Sequence, residues 1–164
     1  MTTAEAPALF TWLEHRSFAV AIAESTWLFP IAETIHVLAL TVVVGSVAMM
    51  DLRLLGIGNK ERPASEVIAN SLPWAWSAFA VAFVAGSMMF SSKAATYYNN
   101  TPFRIKMLCL FLAALNMLIF HSFTARSMAS WDQGRPPMGA RVAAGLSLTF
   151  WVMIVATGRW IGFT

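Results

Sequence analysis

The sequence predicts an all-α integral membrane protein, a four-helix up-down bundle preceded by a short interfacial helix. Three observations carry that expectation. Of 164 residues, 58% are hydrophobic and only 12% are charged, about half the charged share of an ordinary soluble domain. Four segments, about 31–55, 72–90, 103–123 and 140–163, come close to the roughly 20 mostly apolar residues that cross the hydrocarbon. The connections between them are short, so consecutive spans run antiparallel and both chain ends fall on one side of the bilayer. The whole chain reads as a single transmembrane domain.

Each element has its own signals. Residues 8–23 are helical in pattern but too polar to cross, because Glu14, His15 and Arg16 interrupt Leu9, Trp12, Leu13, Phe18 and Val20. They read as one helix lying in the interface. Pro30, Pro73, Pro102 and the Pro136-Pro137 pair stand near the four span starts, where a missing N–H costs least. Seven Trp against two Tyr fits indole rings at a membrane interface. No basic cluster or aromatic-basic interleave suggests nucleic acid. The single cysteine, Cys109, lies in an apolar run and can build neither a disulfide nor a thiolate metal site within one chain. The first 25 residues carry Glu5, Glu14 and Glu24 without a basic leader region, so they do not read as a cleavable signal peptide.

Let side X hold the termini and side Y lie opposite. Side Y then has Arg53, Lys60, Arg62, Arg126, Arg135 and Arg141, and side X has Arg16, Lys93, Arg104, Lys106 and Arg159. The positive-inside rule assigns Y to the cytoplasm and both termini to the outside.

Ionisable groups within spans are costly and point to function. His36 falls about 9 Å past Pro30 and Lys106 about 6 Å past Pro102, counted at the helical rise. Both helices run from X to Y, so the two residues share a level near side X, and Arg159 returns to that level at the end of the fourth span. Glu33 and His36, three apart, stack on one helical face. His121 lies about 28 Å past Pro102, near side Y. About 20 Å of membrane normal therefore separates the two histidines, too far to be axial ligands of one haem.

A carboxylate, an imidazole and up to three cations (Glu33, His36, Arg104, Lys106 and Arg159) thus gather at one end. A nitrogen for iron with cations for propionates suits a haem. His121 forms a second, separate candidate beside Asp51, Arg53 and Arg126, while His15 belongs to the surface. Two other readings stay open: a copper- or metal-handling site of His36, Glu33 and methionines, and a cofactor-free subunit whose polar residues serve packing. Met117 shares a broad face of the third span with Lys106, Ala113 and His121. Gly45, Gly86 and Gly145 suit close helix approach or room for a flat ligand, and Asp51 with Arg53 reads as an ion pair.

The stretch Trp27-Leu-Phe-Pro-Ile-Ala-Glu-Thr-Ile-His36, with Gly45 and Asp51-Leu-Arg-Leu-Leu-Gly56, resembles an uncharacterised family of small bacterial four-helix membrane proteins. Leu72-Pro-Trp-Ala-Trp76, Phe103-Arg-Ile-Lys106, Asn116 through His121 and Gly158-Arg159 extend the likeness over nearly the whole chain. More distantly the pattern is similar to HemJ-type protoporphyrinogen oxidases and CopD-like domains. The HemJ likeness matches His36, Arg53 and Lys106, and it implies b-type haem binding. These resemblances imply a multi-pass protein of the bacterial inner membrane. The expected activity is electron transfer or tetrapyrrole redox chemistry, with His36 as axial ligand, Glu33 orienting the imidazole or relaying a proton, and a homo-oligomer or redox partner.

Overall fold

The computed structural model describes residues 6–57, 62–132 and 134–163. Helices α1 (Ala8–Glu14) and α2 (Ser17–Glu24) precede α3 (Leu28–Leu54), α4 (Ala64–Ser92), the short α5 (Ala94–Asn99), α6 (Thr101–Ile119) and α7 (Met138–Trp160). Beyond α6 the chain continues through a π-helical turn (Phe120–Thr124) and a 3-10 helix (Ala125–Ser130). Four helical stretches are long and apolar enough to cross a membrane, ending at Leu54, Ser92, Ser130 and Phe163. Large apolar side chains such as Leu38, Phe83, Phe111 and Val152 point outward, as a helix surrounded by lipid tails requires.

The expected helix over 8–23 is instead two. Thr11 O accepts from both His15 N (3.3 Å) and His15 Nδ1 (2.6 Å), and Arg16 N closes on Leu13 O. The break allows two different faces to dock. Phe10 of α1 meets Phe90 and Tyr98, while Ala19 and Ile22 of α2 are buried against the bundle. Arg16 folds back over the Trp12 ring at 3.7 Å.

Ser25 Oγ accepts from Leu28 N at 3.1 Å, which starts α3 one turn earlier than expected and leaves Pro30 in its first turn. The other end is a Schellman motif. Ile57 N reaches Leu52 O, Gly56 N reaches Arg53 O, and Gly56 adopts φ +78°, a conformation that costs any residue with a Cβ.

The largest departure concerns α4, which begins eight residues before the expected span. Pro73 is therefore inside the helix rather than near its start. Residues 64–71 carry Glu66 and Asn70, too polar for a hydropathy signal, and exposed Trp74 and Trp76 mark where the apolar stretch begins. What caps the extra turns comes from elsewhere in the chain. Asp132, between α6 and α7, accepts from Ser65 N (2.7 Å) and Ser65 Oγ (2.6 Å), and its carbonyl accepts from Ala64 N (3.2 Å).

In the bundle α3 packs on α4, α6 packs on α7, and an α3–α7 seam joins the two pairs. The first pair meets through Ala32, Ala39 and Val43 against Ala75, Ala78, Ala82 and Ala85, all buried. Alanines at this three-four spacing let two membrane helices approach closely. Asn116 Nδ2 donates to Ala143 O at 2.9 Å, fastening α6 to α7. A cluster of Leu54, Ala64, Phe120, Ala140 and Ala144 closes side Y. Stacked Phe90, Tyr97 and Phe103 bridge α4, α5 and α6 at side X.

Candidate functional site

His36 projects from α3 toward α4. Its Nδ1 lies 2.7 Å from Ala82 O, and a carbonyl can only accept, so Nδ1 carries the hydrogen and Nε2 keeps its lone pair. Nε2 is buried and has no hydrogen-bond partner. One turn beyond Ala82, Gly86 leaves room for the ring. A Cβ there would stand 3.0 Å from His36 Cε1 and 3.2 Å from Nδ1. The close approach that the glycines suggested is thus realised at Gly86, whereas Gly45 and Gly145 have nothing within 4 Å of an added Cβ.

Lys106 enters from α6. It is half-buried, its ammonium acts electrostatically on the His36 ring, and its stem lies along α7 at Gly158. A Cβ on Gly158 would be 3.7 Å from Nζ. The structure thus brings together His36 and Lys106, the pair that depth counting placed at one level.

The other expected members point elsewhere. Arg104 is exposed, because positions two apart on a helix face nearly opposite ways. Arg159 is exposed and sits over the Phe163 ring at 5.1 Å. Glu33 is exposed as well, and it does not orient the imidazole; the Ala82 carbonyl does. Glu33 acts instead on Tyr97 of α5, whose hydroxyl is pushed above its usual range by burial first and by this carboxylate second. His121 lies in the π-helical turn, exposed, with Nδ1 3.1 Å from Met117 O and its ring edge-on to Phe120. Phe120 packs with Leu54, eighteen residues beyond His36, so the two histidines belong to opposite ends. Met117 is half-buried. Among the described residues no three His, Cys, Asp or Glu side chains group to hold a metal.

At side Y the expected Asp51–Arg53 ion pair is absent. Both side chains are buried, but two residues apart they diverge. Arg53 Nε donates to Arg62 O (2.9 Å) and Nη2 to Asp132 O (3.2 Å), while Asp51 faces Ser147 of α7. Arg53 therefore ties the end of α3 to the start of α4 and to the α6–α7 turn. The Asp132 carboxyl is held below its usual range, chiefly by the Ser65 hydrogen bonds. A depressed carboxyl contributes stability that is present above its unfolded value and lost as pH falls through the folded one. Acidification through the lower carboxylate range should therefore loosen this corner first. Thermal unfolding in detergent against pH should show that component in the native protein and not in Asp132→Asn.

A model for a family of unknown function, DUF6644, matches residues 9–164. The chain belongs to the DUF6644 family. The match covers α2 through α7 entirely and nearly all of α1, so the N-terminal helices are part of the DUF6644 domain and not an appendage. It bears out the resemblance to an uncharacterised family that the Trp27–His36 stretch suggested. No curated protein and no solved structure matches the chain.

Two features of this DUF6644 site leave no mark in side-chain sequence. The acceptor that fixes His36 is a backbone carbonyl, and the surface supporting Lys106 is a glycine. Arg104 was separable from the sequence, since its two-residue offset from Lys106 already forbids a shared face.

Proposed function

We propose that this protein binds haem b near side X, with His36 as the iron ligand and Lys106 as the cation for a propionate. The observation that carries this reading is the orphaned Nε2. A buried imidazole nitrogen with a free lone pair, its tautomer fixed by a backbone carbonyl at Nδ1, is the arrangement of metal-ligating histidines. Gly86 supplies the flat ring with space, and Lys106 supplies positive charge inside the same end of the bundle. The group itself would provide one-electron chemistry; the chain would orient it and neutralise its carboxylates. Exposed Arg104 and Arg159 stand at the rim rather than within.

The HemJ-type likeness supports His36 and Lys106 in this role but not Arg53, which lies seventeen residues, about 25 Å, farther along α3. Side Y as the cytoplasmic face of a bacterial inner membrane belongs to the same proposal. Arg62, Arg126, Arg135 and Arg141 are exposed there against Arg16, Lys93, Arg104 and Arg159 on side X, and Lys60, outside the described residues, makes the difference.

A second reading has its own support, for the His36–Ala82 bond by itself fastens α3 to α4, a packing role that needs no cofactor. Absorption separates the two. Protein purified in detergent from haem-replete cells is expected to show a Soret band that is lost in His36→Ala and retained in His121→Ala. A colourless native preparation would leave the packing role in its place.

A further inference from the structure

Asp51 is the other buried polar group left unsatisfied, and it is independent of His36. It lies in the last turn of α3, only 6% exposed. Ser147 of α7 faces its carboxyl group, while Oδ2 is buried with no partner. A negative charge in such a place calls for a positive one.

None of the described residues supplies it. On α3 itself Arg53 faces another way and is committed to the Arg62 and Asp132 carbonyls. From α7 the facing group is Ser147, and Arg141 on that helix is exposed. At this end α4 buries Ala64 and Ser71, with Glu66 exposed, and the Asp132 carboxylate is occupied by Ser65. His121 and Arg126, beyond α6, are exposed. Among the described residues, no charged group acts on the Asp51 carboxyl. The site also lies close to water, for Asp51 is three residues from the end of α3, about 5 Å of helical rise from the Leu55-Gly56 turn.

We propose that Asp51 is a cation-binding carboxylate that takes one monovalent cation, a proton or a sodium ion, from the side-Y water onto Oδ2. A proton forms an O–H bond at Oδ2 and cancels the charge with no further ligand. A sodium ion pairs with the same oxygen and needs additional oxygens around it. In either case the α3–α7 seam remains closed around a neutral site. His36 lies fifteen residues away on the same helix, about 22 Å nearer side X, so the two sites load separately.

Infrared spectroscopy of the full chain in detergent at neutral pH tests this, first in sodium-free buffer and then with sodium added. The carbonyl stretch of a protonated carboxyl is expected in sodium-free buffer. It should be lost in Asp51→Asn, shifted in Ser147→Ala, which removes the hydroxyl facing the group, and unchanged in His36→Ala. Persistence of the band in sodium identifies the occupant as the proton. Its loss on adding sodium identifies the metal ion. Absence of the band from the native protein in sodium-free buffer overturns the proposal. So does a band that neither Asp51→Asn nor Ser147→Ala alters.

Discussion

Arg53→Ala should cost the folded protein about 2–4 kcal/mol. The guanidinium is buried and gives one N–H to Arg62 O and another to Asp132 O. Truncation leaves Arg62 O without its donor, leaves Asp132 O with the Ala64 N–H alone, and opens the volume the side chain filled. An unsatisfied buried carbonyl costs about 1–3 kcal/mol. The loss reaches further than the two bonds, because the Asp132 backbone that Arg53 grips also presents the carboxylate capping α4 at Ser65. Unfolding in mixed micelles, with denaturing detergent as the variable, measures the difference. Two companions make the result specific. Arg62→Ala should lie within about 0.5 kcal/mol of the native protein, since Arg62 contributes its backbone oxygen and its side chain is exposed. Arg53→Lys should recover only part of the loss, because an ammonium lacks the rigid fork that reaches two acceptors at once. An Arg53→Ala protein as stable as the native one would remove the tie between α3, α4 and the α6–α7 turn.

The same corner explains where sequence reasoning succeeded and where it stopped. Four spans were legible because length and apolarity are all the hydrocarbon demands of a helix. The first eight residues of α4 were not. Their helix is stabilised by Asp132, sixty-seven residues from Ser65, and no local pattern reports a cap supplied from that distance. Pro73 misled for the same reason, since a proline can stand inside a membrane helix whose neighbours re-satisfy the freed carbonyl. The level shared by His36 and Lys106 was legible because rise per residue converts sequence into depth. Their orientation partners were not, for a carbonyl at Ala82 and bare backbone at Gly158 look like any other apolar helix. Asp51 and Arg53 looked like an ion pair on proximity in sequence alone, and helical geometry separates them.

Gly86→Ala is expected to disturb the candidate site as strongly as loss of the imidazole itself. The added Cβ would stand 3.0 Å from Cε1 and 3.2 Å from Nδ1 of His36, tighter than most such contacts, so the ring or α4 must give by a few tenths of an ångström. The ring has little freedom to do so while Nδ1 holds Ala82 O at 2.7 Å. The hydrogen bond breaks or α4 backs away from α3, and overpacking of this kind costs about 1–3 kcal/mol. His36→Ala has a cost of its own, roughly 1–2 kcal/mol for a half-buried ring and one cross-helix hydrogen bond. The informative variant is the double one. With the ring gone, the methyl group of Gly86→Ala enters space the imidazole vacated, and its penalty should disappear. The two substitutions should therefore fall short of additivity by about 1 kcal/mol or more, as residues in contact do. Strict additivity would mean that Gly86 does not touch His36. Pigment content gives a second axis for the same cycle. If His36 holds haem, Gly86→Ala should bleach the protein although the ligand residue is still present, because a displaced ring no longer presents Nε2 from a fixed position. A pigmented Gly86→Ala protein that has lost stability would instead place the whole effect in packing, and His36 would be a fastener between α3 and α4.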